Sequence, residues 1–105
     1  MKIIILGGGE SGVGAAVLAK KKGLEVFLSD RGVIKEHYKK QLQEEGIDFE
    51  EGTHSEERIL DADWVIKSPG IPKKAPLIQK IKEKGIRLSS EIEFCDSALF
   101  TQAEF

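Results

Sequence analysis

Residues 2–30 read K-I-I-I-L-G-G-G-E-S-G-V-G-A-A-V-L-A-K-K-K-G-L-E-V-F-L-S-D. Ile3, Ile4, Ile5 and Leu6 form a short apolar run without polar alternation, the pattern of a strand covered on both faces. Three glycines interrupt it. The amphipathic stretch that follows predicts a helix over residues 11–22, with Val13, Ala16, Val17 and Leu18 turned inward and Gly23 as its stop. A second strand is expected at residues 25–29 (E-V-F-L-S). Strand, glycine turn, helix and strand in so short a span make a β-α-β unit, whose strands run parallel through a right-handed crossover.

The alternation continues outward. Ile34, Tyr38 and Leu42 recur every fourth residue and predict a helix over residues 34–45, stopped by Gly46. Residues 47–50 alternate and are few, as expected of an edge strand. Thr53-His54-Ser55-Glu56 matches a capping box opening a brief helix. D-W-V-I-K (63–67) is the expected fourth strand. A proline-rich turn over 68–72, a helix over 75–84 ending at Gly85, a fifth strand at 86–88 and a second capping box, Ser90-Glu91-Ile92-Glu93, complete the pattern. Three helices end in K-K-K-G, Q-E-E-G and K-E-K-G, each followed at once by a strand. A glycine there takes the left-handed conformation that turns a helix back toward a sheet. The expected architecture is α/β: a doubly wound parallel sheet of about five strands, ordered 3-2-1-4-5.

Composition sets the outer limits. The 105 residues suit one domain, and 40% hydrophobic against 32% charged residues supply a core and exclude a disordered chain. Sixteen Lys and Arg against eighteen Asp and Glu give a net charge of -2, which excludes a global positive field for nucleic acid or an anionic membrane. A single cysteine, Cys95, excludes an internal disulfide and a cysteine-cluster metal site. With no signal-peptide pattern and no apolar run near the roughly 18 residues of a membrane span, the expectation is a soluble cytoplasmic domain. An apolar residue is just reappearing at Phe105 where the tail (97–105) stops, which reads as a cut within a larger protein.

Gly7-Gly8-Gly9-Glu10-Ser11-Gly12 fits G-x-G-x-x-G between a predicted strand and a predicted helix. Gly7 permits the tight turn, Gly9 lets the backbone approach a diphosphate, and Gly12 lets the helix pack on the strand. Unpaired amides and the positive end of the helix dipole favour an anion there. A glycine-rich turn that binds nothing is the plain alternative. Asp30 closes the second strand where dinucleotide folds place an acid for a ribose or base, although an aspartate there can equally cap the next turn. Arg31 is a candidate phosphate or base contact, or a solvated cation. Ser68-Pro69-Gly70-Ile71-Pro72 follows the fourth strand at the same carboxyl edge, beside the point where strand order reverses. Two prolines account for a rigid turn but not for the glycine between them. Ser11 has no neighbouring base and suits a phosphate hydrogen bond. His37 is read as a helix-face residue and His54 as part of the capping box, Trp64 and Cys95 as structural, and Lys20-Lys21-Lys22 and Lys73-Lys74 as solvated. No catalytic residue and no metal ligand is expected.

Together, the glycine start, S-D at the end of the second strand, D-W-V-I-K-S-P-G-I-P and the late S-E-I-E-F (90–94) resemble the N-terminal domain of the D-glutamate-adding Mur ligases, from Lys2 to Phe94. S-P-G-I-P followed by S-E-I-E-F is the specific part, and the alanine-adding branch differs at S-P-G-I. The resemblance implies a Rossmann-like domain, residues 1–105, that holds the UDP of UDP-N-acetylmuramoyl-L-alanine. Gly7, Gly9, Glu10, Ser11 and Gly12 would lie at the diphosphate, Asp30 and Arg31 at the uracil, and Gly70 across the crevice. The family often carries a basic or polar side chain two positions after the aspartate, where this chain has Gly32. The resemblance further implies a central ATP-binding and a C-terminal amino-acid-binding domain, absent from these residues, and amide formation with D-glutamate driven by ATP and Mg2+ in peptidoglycan precursor synthesis. The family's G-[ST]-N-G-K-[ST] loop does not occur here, so no cofactor is expected on this chain. An NAD-binding module of a dehydrogenase or regulator satisfies the glycine motif and Asp30 equally, and an interaction domain without ligand leaves both unexplained.

Overall fold

The apolar run that opens the chain is the centre of the sheet. In the computed structural model, which describes residues 2–68, 70–72 and 74–90, the elements follow as β1 (Lys2–Leu6), α1 (Glu10–Lys21), β2 (Glu25–Asp30), α2 (Glu36–Glu44), β3 (Asp48–Glu51), α3 (Glu56–Ile59), β4 (Trp64–Lys67), α4 (Pro76–Glu83) and β5 (Arg87–Ser90). The five strands form one sheet in the order β3-β2-β1-β4-β5, every neighbouring pair parallel, as expected from the sequence. Ile4 faces Phe27 on one side and Val65 on the other in register, and Ile3, Ile4, Ile5 and Leu6 are all buried.

Because strand side chains alternate, this run feeds two cores. Ile3 and Ile5 join Val26, Leu28 and Ile66 under α1 and α2, where Val13, Ala15, Ala16, Ala19 and Leu42 cover them. Ile4 and Leu6 join Phe27 and Val65 on the other face, closed by Ile59 of α3 and Leu77, Ile78 and Ile81 of α4. Each fully buried Leu or Ile contributes about 1.5–3 kcal/mol, so both helical layers are held by burial and not by propensity alone. The three helix-stop glycines, Gly23, Gly46 and Gly85, all have φ between 71 and 82°, in the left-handed region. No helix among the described residues is long and apolar enough to cross a membrane.

Several boundaries differ from the sequence expectation. α2 begins at Glu36, not at residue 34: Ile34 is buried in the preceding loop, and its N–H donates to Glu51 Oε1 at 3.0 Å, tying it to β3. Within α1, Ala15 and Ala19 are buried, whereas Val17 and Leu18 are partly buried at the margin. The capping box at residues 53–56 does not form. Ser55, not Thr53, caps α3, and without a side-chain cap bond, because Glu50 takes both its N–H (2.8 Å) and its hydroxyl (2.5 Å). β5 runs on to Ser90, past the expected end at residue 88. Pro69, Lys73, the rest of the second capping box and of S-E-I-E-F, Cys95 and the tail lie outside the described residues.

Candidate functional site

Four loops leave the carboxyl edge of the parallel sheet and meet beside the switch from β1 to β4. The first is the glycine loop, where each glycine has a different physical reason. Gly7 has φ 115°, a conformation L side chains rarely adopt, and its N–H donates to Ser29 O at 2.8 Å. At Gly8 a Cβ would stand 2.7 Å from Cγ1 of Ile34 and 3.1 Å from Asp30 Oδ2. Gly9, the N-cap of α1, has an ordinary φ of -82° and open space where its Cβ would be. Gly12 is buried inside α1. The first hydrogen bond into the helix runs from Val13 N–H to Gly9 O, leaving the amides of Glu10, Ser11 and Gly12 without acceptors among the described residues. Glu10 and Ser11 are exposed at the positive end of the helix.

The second loop starts at Asp30, whose carboxylate ties the edge together. Its Oδ2 accepts the Gly8 N–H at 2.7 Å and its Oδ1 the Gly32 N–H at 2.8 Å. The aspartate is therefore a turn cap and a strut under the glycine loop, with lone pairs left on both oxygens. Arg31 is exposed and has no ion-pair partner among the described residues. The third loop, after β3, carries Gly52, Thr53 and His54, and the fourth, after β4, is held by Lys67, whose ammonium donates to the carbonyls of Ile71 (2.9 Å) and Ser68 (3.3 Å). Gly70 lies on this loop and is exposed, and a Cβ there would have only Ser68 Oγ at 3.9 Å.

Between these loops opens a cleft of ≈ 720 Å³, with Leu6 at its floor, Arg31 on one side, Gly52, Thr53, His54 and Glu56 on another, and Gly70, Ile71, Pro72, Ala75, Pro76 and Leu77 opposite. Of the residues expected at a site, Arg31 and Gly70 line it. Gly7, Gly9, Glu10, Ser11, Gly12 and Asp30 stand at the same edge of the sheet without lining it. Among the described residues no group of three or more His, Cys, Asp or Glu side chains could hold a metal ion.

Comparison with known proteins gives the family of the chain. Residues 2–76 match the MurD N-terminal domain family, a stretch that includes the glycine loop, Asp30, Arg31 and the whole β4 turn. The chain belongs to the MurD N-terminal domain family. The UDP-N-acetylmuramoylalanine–D-glutamate ligase of Christiangramia forsetii is 62% identical over 93 residues, covering 89% of this chain and 21% of that protein. The same-named ligase of Cytophaga hutchinsonii is 53% identical over 104 residues, 99% of this chain and 23% of that protein. The crystal structure of a murein peptide ligase from Psychrobacter arcticus superposes with a TM-score of 0.82 at 26% identity, over 92% of this chain and 20% of that one. The chain thus spans about a fifth of the length of the curated relatives it matches.

Sequence reasoning missed part of this MurD-type edge. Ser29, fully buried, has its hydroxyl 2.7 Å from both Glu50 Oε2 and His54 Nδ1. Burial raises the Glu50 pKa, but hydrogen bonds from the Ser55 hydroxyl and N–H and from Ser29 outweigh it, and Glu50 ionises below the ordinary carboxylate value. Burial first, then the Arg31 charge, lowers the pKa of His54, against the pull of Glu50 and Asp30. The signal for this network was a lone hydroxyl in an apolar strand just before Asp30. Its partners lie on β3 and the loop after it, where the sequence shows only strand alternation and a capping-box pattern, neither of which points to Ser29.

Proposed function

We propose that this chain anchors the UDP end of UDP-N-acetylmuramoyl-L-alanine for a D-glutamate-adding ligase acting in cytoplasmic peptidoglycan precursor synthesis. The observation that carries the reading is a cleft lined by Arg31, His54 and the Gly70 turn at the same carboxyl edge of the sheet where the glycine loop and Asp30 stand, in a MurD N-terminal domain. The backbone at Gly7 and Gly9 and the free amides of Glu10, Ser11 and Gly12 hold the diphosphate, with the Ser11 hydroxyl as a further donor. Glu10 serves through its N–H, since its carboxylate repels the ligand. Asp30 and Arg31 hold the uracil, and Gly70 lets the backbone close from the other side.

In this reading residues 1–105 are the substrate-anchoring domain. ATP, Mg2+ and D-glutamate belong to central and C-terminal domains of the longer relatives. Binding a remote nucleotide lowers the barrier by fixing the reacting carboxylate in place, without contact with the reacting atoms. Calorimetric titration of the chain with UDP-N-acetylmuramoyl-L-alanine, UDP and NAD tests this. Binding of both uridine ligands and not NAD is expected, and tighter binding of NAD refutes the reading.

A further inference from the structure

The cleft contains a side chain whose hydrogen-bonding role is fixed before any ligand arrives. Ser29 has one hydroxyl proton and three candidate partners: Glu50 Oε2 at 2.7 Å, His54 Nδ1 at 2.7 Å and the Thr53 carbonyl at 3.3 Å. Glu50 is a carboxylate at neutral pH, and two oxygens 2.7 Å apart repel unless a proton lies between them. The Ser29 proton therefore goes to Glu50. The hydroxyl then presents a lone pair to Nδ1, so Nδ1 carries the hydrogen and the neutral imidazole keeps its lone pair at Nε2.

Nε2 has no hydrogen-bond partner among the described residues, and the ring lines the cleft. Three charged groups bear on it, Arg31 from the loop after β2, Asp30 from the end of β2 and Glu50 from β3, and Glu56 lines the same cleft at the start of α3. Burial and Arg31 favour the uncharged ring, so at neutral pH the cleft presents a pure acceptor beside a guanidinium.

We propose that His54 is a ligand-binding residue of the cleft, accepting at Nε2 a hydrogen bond from a donor on the nucleoside part of the ligand, a ribose hydroxyl or the imide N–H of the base. This rests on the reading of the cleft as a uridine-nucleotide site. A diphosphate at neutral pH is chiefly an acceptor and falls to the amides and Arg31, so His54 reads the nucleoside. If the imide is the donor, His54 discriminates against cytosine, whose N3 is an acceptor. If a hydroxyl is the donor, base identity does not matter to it.

His54→Asn separates this role from a structural one. The asparagine nitrogen stands where Nδ1 does and can keep the bond to Ser29, while nothing replaces Nε2. We expect UDP affinity of the chain to fall about three- to tenfold, the scale of one hydrogen bond, with the melting temperature unchanged. Acidification through the His54 titration should weaken UDP binding in the wild type more than in His54→Asn, which controls for titration of the terminal phosphate. CDP and 2′- or 3′-deoxy-UDP then identify the donor. Nitrogen-15 NMR of the wild-type imidazole provides a readout that needs no variant: an Nδ1–H tautomer whose Nε2 resonance moves when UDP is added. Wild-type affinity in His54→Asn, an Nε2–H tautomer, or an Nε2 resonance indifferent to UDP overturns the proposal. Absence of UDP binding to the wild-type chain overturns both this proposal and the site reading, whereas UDP binding that ignores His54 overturns this proposal alone.

Discussion

Alanine at Gly8 and alanine at Gly9, adjacent in sequence, should fail in opposite ways. At Gly8 the new Cβ would lie 2.7 Å from Cγ1 of Ile34, a core side chain only 1% exposed, and 3.1 Å from Asp30 Oδ2, which already holds the Gly8 N–H. Ile34 is enclosed in the core and Asp30 is held by its bonds to the Gly8 and Gly32 amides, so the loop or Ile34 must shift, an overpacking cost of about 1–3 kcal/mol. The reduced entropy of the unfolded chain returns about 0.4–1 kcal/mol. The net loss of about 1–2 kcal/mol lowers the melting temperature by roughly 4–8 °C per kcal/mol in a domain this small. At Gly9, φ is -82° and no atom lies within 4 Å of the added Cβ. Loss of a tolerated N-cap residue and the entropy gain nearly cancel, leaving stability within about 0.5 kcal/mol of wild type. A methyl group there does obstruct a diphosphate approaching the free amides, and UDP affinity should drop about tenfold or more. Thermal melts with and without UDP, with calorimetric titration, read both quantities. A Gly9→Ala chain that melts as early as Gly8→Ala, or binds UDP like wild type, would refute the division of roles within the motif.

Asp30→Ala should cost about 1–3 kcal/mol in urea unfolding, because it leaves the buried Gly8 amide without its acceptor, besides weakening uridine binding. An unchanged midpoint contradicts the strut role. Lys67→Met frees the carbonyls of Ser68 and Ile71 and should loosen the Gly70 turn, seen as faster amide exchange at Gly70 and Ile71 and weaker UDP binding; unaltered exchange contradicts the clamp. Both Glu50 and His54 have folded pKa values below their ordinary ones, so the unfolded chain takes up protons first as pH falls. The urea midpoint should therefore decline first as pH drops below about 6.5, where His54 contributes, and again below about 4.5, where Glu50 does. His54→Asn should flatten the upper part and Glu50→Gln the lower, and a midpoint independent of pH contradicts the network. Incubated with Mg-ATP, UDP-N-acetylmuramoyl-L-alanine and D-glutamate, the chain should release no phosphate above a protein-free control.

The sheet was legible because its signals are local and repeated. Four consecutive apolar residues at β1, three helix-stop glycines and the 2.0 and 3.6 periodicities together point to one alternating β-α architecture, and the observed strand order agrees with the expected one. Boundaries were less legible where a side chain from a distant strand captures a backbone group. Glu51 draws Ile34 out of α2, and Glu50 occupies Ser55 and empties the expected capping box. The glycine motif marked the turn from β1 into α1, but the need for glycine at Gly8 depends on Ile34, which no spacing rule connects to it. His54 was passed over for the same reason: its partner Ser29 is 25 positions away, joined to it only by the β2–β3 pairing.

The most direct test of the central claim is a paired titration of the isotopically labelled chain with UDP and with NAD, following backbone amides by NMR under identical conditions. Shifts are expected with UDP and should concentrate at residues 7–12, at residues 30–32 and at Ser68, Gly70 and Ile71, the loops that leave the carboxyl edge of β1, β2 and β4. A stronger response to NAD, or UDP shifts confined to the opposite edge of the sheet, would contradict the assignment of this chain as a uridine-nucleotide anchor.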